Sequence, residues 1–456
     1  MINLFNRHIK WLKSQLVQIK NGNSKVIKHK INRLSHYFFI FILALFFFPL
    51  FLIIRLLSKF ILIRFTNLDS RRIGHFASEV NTYLCELKNK KLQYDFFYAE
   101  KPVCNNALLK IYKRQIFILP EILISPFIFL NNNKFFGDKK HRIRLDQYQY
   151  AQLSNYKKKN NKFEFVGTDD LRDVDQKDIK KIEYFNQKDL DFGYSFLREL
   201  GLNKNDKFVC LLCRDGGYVE RLYNEIYDLQ YEIKGDNSAF RNSNIENFRM
   251  VSEYLMDLGY YVFRMGDKNS KPFLIKNKKF IDYTTLKKKN EFLDIFLASH
   301  CNFFISTGSG LDTLASIQNK PVVFVNYAMI AWTRSTNKKQ LTIFKHYKKK
   351  DSSKNLSMSE IFDLNLAQAQ TDEPFKKNNI EIIENTPEEI KDAVIDMLEL
   401  IKNNFTVNET EKYSQIQFWN NFIKKIDENN LNNLHSNFTK AHIGFTFLKQ
   451  NINFLK

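Results

Sequence analysis

Five small residues in the second half of the chain have the composition of an anion-binding loop. The loop follows an apolar segment, precedes a short helical pattern, and consists of Ser306, Thr307, Gly308, Ser309 and Gly310. Backbone N–H groups and hydroxyls in such a loop can converge on an oxyanion, with the helix dipole behind them. A diphosphate is the natural ligand for that chemistry. The loop is neither a P-loop, since it lacks Gly-Lys-Ser/Thr, nor a GxGxxG turn.

Two arginine-containing turns are expected at the same edge as this loop. Arg214 and Asp215 end one apolar segment, and Arg264 and Gly266 end the next. Guanidinium groups bind phosphate oxygens in a bidentate manner, so we predict that both arginines bind the diphosphate. Asp215 is predicted to hold a hydroxyl or to act as a base. The alternative is that the arginines form surface ion pairs.

A third group of candidate site residues lies at a predicted strand-to-helix turn nearer the N-terminus. It consists of Arg72, Gly74 and His75. A histidine side chain changes its charge near neutral pH, which suits removal of a proton from an attacking hydroxyl. We therefore predict that His75 is catalytic; the alternative is a packing residue at a helix end. The pair Asp169–Asp170 follows only a short apolar run, so neither a metal nor another cofactor is predicted.

Strand and helix patterns alternate along most of the chain, which is typical of an α/β fold. We predict two Rossmann-like domains in series, with ligands in the crevice at the carboxyl ends of the strands. The predicted organisation is a basic segment at 1–36, a membrane-associated helix at 37–58, Rossmann-like domains at 59–200 and 205–380, and C-terminal helices at 381–456.

The segment Tyr37–Ile54 (YFFIFILALFFFPLFLII) is uncharged and almost wholly apolar. As a helix it would extend roughly 27 Å, just enough to reach across a hydrocarbon core. Basic residues flank it on both sides and Pro49 interrupts it, so we predict an in-plane or re-entrant helix with both flanks cytoplasmic. A single-pass anchor is the alternative. The predicted location is the cytoplasmic face of a membrane.

The net charge of +21 is unevenly distributed, because eleven Lys or Arg residues precede the first acidic residue, Asp69. Positive charge beside an apolar run predicts membrane lipids as a partner. Nucleic acid is not predicted as a partner, because no recognition motif is present. The five cysteines are scattered, which predicts a reduced compartment and core positions for Cys210 and Cys213.

Seven segments between about residue 55 and the C-terminus match, in order, the pattern of one protein family. They are RIGHFASEVNTYLCEL (72–87), EKPVCNNALLKIYKR (100–114), CRDGGY (213–218), RNSNIENFRMVSEYLMDLGYYVFRMG (241–266), EFLDIFLASHCNFFISTGSGLDTL (291–314), PVVFVNY (321–327) and AHIGFTFLKQN (441–451). Together they resemble a family of bacterial glycosyltransferases found among surface-polysaccharide and lipopolysaccharide genes. Family members tend to carry a histidine just before the arginine of CRDGGY, where this chain has Leu212 and Cys213.

The resemblance implies a GT-B-like fold, with the acceptor bound by the domain at 59–200 and the nucleotide-sugar donor by the domain at 205–380. It adds Arg241, Asn242 and Asp312 to the predicted donor site, and it places Arg72, Gly74 and His75 on the acceptor side. The activity it implies is transfer of a sugar, of the hexosyl type, to a lipid-linked glycan or lipopolysaccharide acceptor. Two alternatives stay open: a CDP-alcohol or sugar-phosphate transferase of similar fold, and a non-catalytic scaffold of a polysaccharide assembly complex.

Overall fold

The structure is a computed structural model of the 456-residue chain. It describes residues 19–20, 24–86, 92–133, 135, 137–143, 145, 156–159, 162–165, 184–218, 238–267, 270–335, 337–352, 354–429, 431 and 441–455. Within these ranges the protein is mixed α/β, and its strands form two parallel sheets and two antiparallel pairs. The pair Asp169–Asp170 lies outside the described residues.

Three parallel strands form the N-terminal sheet in the order β1-β2-β3. Successive residues of a strand point to opposite faces, so Phe97 packs on Tyr83 while its neighbour Phe96 packs on Phe65. Helices therefore cover both faces. The bounds are α1 Ser24–Leu56, β1 Leu62–Leu68, α2 Ile73–Glu86, β2 Gln93–Ala99, α3 Asn106–Lys113, β3 Phe117–Ile118 and α4 Glu121–Asn131.

Two features of this region differ from the sequence expectation. Helix α1 is longer than the predicted segment 37–58, and Pro49 lies inside it without ending it. Helix α4 was not predicted, because its run EILISPFIFLN is short, contains Pro126 and lacks a clear helical period. Strand β1 ends at Leu68, so its carboxyl end lies shortly before the predicted acceptor turn that contains Arg72.

The C-terminal sheet has the order β14-β11-β10-β9-β6-β7-β8, and every pairing in it is parallel. Its central strands are buried on both faces, which explains their continuous apolar sequence. The bounds of its strands are β6 Phe208–Leu212, β7 Tyr261–Met265, β8 Phe280–Asp282, β9 Phe303–Ser306, β10 Val322–Tyr327, β11 Gln340–Phe344 and β14 His442–Ile443.

Helices and two antiparallel pairs complete the described chain. The segment 381–456, predicted to be helical, also contributes β14 to the sheet edge, and residues 346–349 form β12. The remaining bounds are β4 Tyr156–Lys159, β5 Lys162–Phe165, α5 Gln187–Glu199, α6 Arg249–Asp257, α7 Glu291–His300, α8 Asp312–Ile317, β12 His346–Lys349, α9 Met358–Asp363, α10 Glu373–Lys377, β13 Ile380–Ile383, α11 Pro387–Lys402, α12 Glu409–Glu428 and α13 Phe445–Gln450.

The two cysteines of the CxxC pattern are core residues, as predicted. Cys210 lies on β6 and Cys213 just after it, and both side chains are buried. Burial raises the pKa of both thiols above the ordinary value, so neither is poised for redox chemistry.

Candidate functional site

Two glycines bring the acceptor turn and the glycine loop into contact. A Cβ atom added to Gly74 would lie 3.0 Å from the Cα of Gly310, and one added to Gly310 would lie 2.9 Å from the backbone N of Gly74. Only glycine at both positions permits this approach. Since His75 follows Gly74 directly, the contact places the predicted acceptor residue beside the predicted donor loop.

A second contact between the two parts of the chain lies at the start of α3. The backbone N–H of Asn106 donates to the carboxylate of Glu291 at 2.7 Å, and the Asn105 side chain donates to the Glu291 carbonyl at 2.9 Å. Glu291 is the first residue of α7, so the starts of two helices are held together. The two parts of the chain are thus joined by polar contacts at the start of α3 and by close glycine packing at the start of α2.

The buried carboxylate of Asp312 organises the glycine loop. It accepts hydrogen bonds from the Ser306 hydroxyl and the Ser309 backbone N–H, both at 2.7 Å, and lies 3.4 Å from Arg334. Burial raises the pKa of Asp312, and Arg334 opposes that shift. Asp312, predicted as a donor-site residue, therefore faces the inside of the loop and holds its shape.

The backbone of the loop is directed inward rather than towards a ligand. The N–H of Thr307 donates to the Leu212 carbonyl at 3.2 Å, and that of Gly308 donates to the Ser306 hydroxyl at 3.1 Å. The following helix, α8, has only 6 residues. The predicted anion site made of these N–H groups and the helix dipole is therefore not formed in this conformation.

Cationic side chains lie beside the loop instead. The Arg241 guanidinium donates to the Gly308 carbonyl at 2.9 Å. Arg214 donates through its backbone N–H to the Thr307 hydroxyl at 2.9 Å, and its guanidinium donates to the Ser238 hydroxyl and to the Asn242 side chain. The predicted residues Arg214, Arg241, Asn242 and Thr307 are thus brought together at the carboxyl ends of β6 and β9.

Lys345 joins this group and was not predicted. It follows β11 directly, is only 3% exposed, and its ammonium group donates to the Asn242 carbonyl. Lys345 also lines a cavity of ≈ 360 Å³ together with Tyr347 and Phe454. The sequence carries a weak signal, a lysine at the end of an apolar strand, but Lys345 also begins a lysine-rich stretch, which is typical of an exposed loop.

We expect Lys345→Met to change how stability depends on pH. Burial lowers the pKa of Lys345 from 10.5 to about 8, so between these values the unfolded chain holds a proton that the folded protein does not. The free energy of unfolding that Lys345 contributes therefore rises with pH over this window, by about 3 kcal/mol at most. Urea unfolding at pH 8 and pH 10 checks this, because other titrating groups cancel in the difference between variant and wild type.

Lys402→Met is the matched control, since the Lys402 side chain is 74% exposed. It should follow the wild type at both pH values. A difference between Lys345→Met and wild type that stays constant from pH 8 to pH 10 would show that Lys345 is solvated.

Arg264 is placed differently from the prediction. Its side chain is 3% exposed, pairs with Asp282 at 2.9 Å, and donates to the Lys271 carbonyl. The guanidinium is thus engaged within the protein in this conformation. Gly266 follows with φ +151, a value that favours glycine, beside Ser270. Both residues shape the end of β7.

Asp215 also makes contacts within the protein. Its carboxylate accepts from the Gly217 backbone N–H and from the Lys271 backbone N–H, each at 3.1 Å. These bonds fix the turn after β6 against the turn after β7. The predicted roles of Asp215 as a base or sugar-hydroxyl ligand stay predictions.

On the acceptor side, His75 lies one helical turn before a buried carboxylate. The Nδ1 atom of His75 is 3.4 Å from Glu79 Oε1, and Glu79 is 1% exposed while the His75 side chain is 25% exposed. Asp69 lies close by, so that one ligand atom from each of Asp69, His75 and Glu79 falls within 4.8 Å of the others. These three residues could hold a divalent cation, or the two carboxylates could orient the imidazole for proton transfer.

Further charged residues lie at the carboxyl ends of β1 and β2. Arg71 pairs with Glu100 at 2.8 Å and lies 3.4 Å from Asp69. Burial raises the pKa of Glu100, with Asp69 adding to the shift and Arg71 opposing it. Arg72, a predicted acceptor-side residue, is exposed beside them. Asp69, Glu79 and Glu100 were missed, although their positions at strand ends and on a helix face were available signals.

No protein-family model matches this chain, and no curated protein matches it. Solved structures do match. The E. coli ADP-heptose lps heptosyltransferase II has 10% sequence identity and a TM-score of 0.37, over 75% of this chain and 100% of that one. A glycosyl transferase family 9 protein from Veillonella parvula has 11% identity and a TM-score of 0.38, over 74% and 97%.

A third match is a dodecameric iron-containing heptosyltransferase in complex with ADP-D-beta-D-heptose. It has 12% identity and a TM-score of 0.34, over 76% of this chain and 77% of that one. At these identities and TM-scores the similarities carry no functional argument.

Proposed function

We propose that this protein is a glycosyltransferase of GT-B-like, two-domain architecture. In this proposal it moves a sugar, of the hexosyl or heptosyl class, from a nucleotide-sugar donor to a lipid-linked or lipopolysaccharide acceptor. The reaction takes place at the cytoplasmic face of a bacterial inner membrane. The observation that carries the proposal is the contact between Gly74 and Gly310, which sets His75 beside the cation-bearing edge of the C-terminal sheet.

The donor side supplies positive charge where the leaving group departs. Arg214 and Arg241 contact the glycine loop, and Lys345 donates to the carbonyl of Asn242, the residue after Arg241. In the proposed reaction, the bond between the anomeric carbon and the diphosphate oxygen breaks, and the nucleoside diphosphate leaves with the electron pair. Fixed cations stabilise that charge as it develops, which lowers the barrier.

The acceptor side supplies a base. As the acceptor hydroxyl oxygen forms its bond to the anomeric carbon, the His75 imidazole takes the hydroxyl proton. Glu79 accepts from the opposite ring nitrogen and stabilises the imidazolium that results. The proton then passes to solvent when the product leaves. We propose that the reaction needs no metal, and activity that survives EDTA is the expected result.

A nucleotide-binding screen tests the proposal. Full-length protein in detergent is heated with UDP, GDP, ADP, CDP or CMP and with the corresponding sugars, including ADP-heptose, while unfolding is followed. One nucleoside diphosphate at about 100 times its Kd should raise the Tm by about 5 °C. Arg241→Ala should abolish this shift, whereas Arg198→Ala, which removes an exposed arginine on α5, should not.

The other outcomes decide against the proposal in different ways. Stabilisation by cytidine nucleotides together with transfer of a phosphate-containing group would favour the sugar-phosphate transferase. No shift with any nucleotide would favour the scaffold. Arg264→Ala is unsuitable as a site variant, because it breaks a buried ion pair and destabilises the protein without ligand.

A further inference from the structure

Helix α1 has two faces with different surroundings. Ile40, Ala44, Phe51 and Ile54 are buried along one side, and the last three pack in a cluster with residues of the N-terminal sheet and α4. A helix turns about 100° per residue, so a second set of side chains lies on the opposite side. This set is apolar and exposed, and it includes Phe38, Leu45, Phe46, Ile53 and Leu56.

Helix α4 adds a second apolar strip next to this exposed face. Ile122, Leu123 and Phe129 are each at least 40% exposed, and the Phe129 ring lies 6.1 Å from the Phe41 ring on α1. At the start of α4, Glu121 pairs with His36 at 3.1 Å, where the apolar run of α1 begins. We call the exposed faces of α1 and α4 together the apolar platform.

The residues that flank the apolar run of α1 are basic at both ends. Lys28 and Arg33 lie on the N-terminal side of the apolar run of α1, and Arg55 and Lys59 lie at its C-terminal end. No acidic residue occurs before Asp69 in the sequence. An apolar surface between basic residues is complementary to an anionic lipid surface. The apolar side chains contact the hydrocarbon, and the basic side chains contact the lipid phosphate groups.

The packing of α1 determines how it can enter a bilayer. Among the described residues, the stretch Ile27–Lys59 is long and apolar enough to cross a membrane by length and composition. One side of this helix, however, packs against Phe65 of β1 and Phe96 of β2. The same two strands contain the ion pair between Arg64 and Asp95. A perpendicular α1 would draw this charged pair to hydrocarbon depth, which is costly. If α1 lies in the plane of the membrane, the ion pair between Arg64 and Asp95 stays outside the hydrocarbon core.

We propose that α1 and α4 bind an anionic bilayer together, in the plane of the membrane, through the apolar platform. Helix α4 is too short to span and contributes Ile122, Leu123 and Phe129 to the contact. This inference deepens the membrane association within the proposed function. Its test contains no sugar donor, so its failure and the failure of sugar transfer are separate results.

Flotation with lipid vesicles tests the contribution of α4. Full-length protein is mixed with vesicles of phosphatidylcholine and phosphatidylglycerol, and the floating fraction is measured for wild type, Leu123→Asp and Ile122→Asp. Each charge on α4 should lower the partition coefficient about tenfold although α1 is unchanged. Leu274→Asp is the matched control, because Leu274 is 80% exposed on the C-terminal part of the chain, and it should float like the wild type.

Unfolding curves in detergent show whether the variants remain folded, and both positions are exposed enough to accept a carboxylate. If both α4 variants float like the wild type, α4 does not touch the membrane and the proposal fails. Vesicles of phosphatidylcholine alone should bind several-fold less protein, and equal binding would remove the role of the basic residues.

Sidedness tests the in-plane orientation. In inverted inner-membrane vesicles, an N-terminal tag and the C-terminal sheet should both be open to added protease, since an in-plane α1 leaves both ends on one side. Protection of the tag while the rest is digested would show that α1 spans the bilayer, and it would overturn the proposed orientation.

Discussion

Replacement of His75 by alanine is expected to lower kcat for sugar transfer by roughly 10²- to 10⁴-fold, the usual contribution of a general base. Donor binding should stay close to that of the wild type, because His75 lies on α2 and the cations of the donor side lie on the other sheet. The measurement is steady-state transfer with the donor found in the nucleotide screen. A loss confined to kcat, with donor Kd unchanged, separates a base from a residue that merely holds the crevice closed.

Glu79→Gln should lower kcat by less than His75→Ala does. The glutamine amide can still form a hydrogen bond to the imidazole, but it lacks the negative charge that stabilises the imidazolium. Thr82→Ala, further along the same helix, serves as the control, since the Thr82 hydroxyl donates to the Ser78 carbonyl. Unchanged kcat in His75→Ala would remove His75 from the mechanism.

Replacement of Gly308 by alanine is expected to lower nucleotide affinity at least tenfold and to destabilise the protein by about 1–3 kcal/mol. Gly308 has φ +80, and a Cβ atom there would lie 2.8 Å from the Tyr327 ring. That ring is held in place, because its hydroxyl donates to the Trp332 carbonyl at 2.9 Å. The loop must shift, and the Gly308 carbonyl that accepts from Arg241 shifts with it.

Gly259→Ala provides a matched control for the backbone strain. Gly259 has φ +92 at the end of α6, but a Cβ atom there would meet nothing within 4 Å. Gly259→Ala should therefore lower the free energy of unfolding through a similar backbone strain, while the affinity for nucleotide stays unchanged. Isothermal titration and urea unfolding of both variants separate the two effects. Equal nucleotide affinity in the two variants would mean that the loop is not part of the donor site.

The sequence predicted the strand ends well where the strands are buried on both faces. The runs ending at Arg214, at Arg264 and at Ser306 are continuous and apolar, and each proved to be a parallel strand of one sheet. Parallel strands bring their carboxyl ends to one edge, so the loops after them were expected to meet. Arg214 and the glycine loop do meet, through the Thr307 hydroxyl.

The features that could not be predicted from the sequence depend on contacts between segments that are distant along the chain. Arg264 is neutralised by Asp282, which reaches it only because β7 and β8 are neighbours. Lys345 belongs to the site because β11 pairs beside β10, a pairing that no local pattern indicated. Helix propensity likewise gave no sign of α4, because a short apolar run with an internal proline is ambiguous until the sheet that it covers is known.

The packing of α1 against the N-terminal sheet has a consequence for how the protein is made. Helix α1 leaves the ribosome before β1, so the sheet forms against a helix that is already available to it. A chain that began at Leu62 would leave Phe65 and Phe127 without their cover and would be expected to aggregate. Trimming the apolar helix to obtain a soluble fragment would therefore remove part of the folding core, and expression needs to keep α1 together with lipid or detergent.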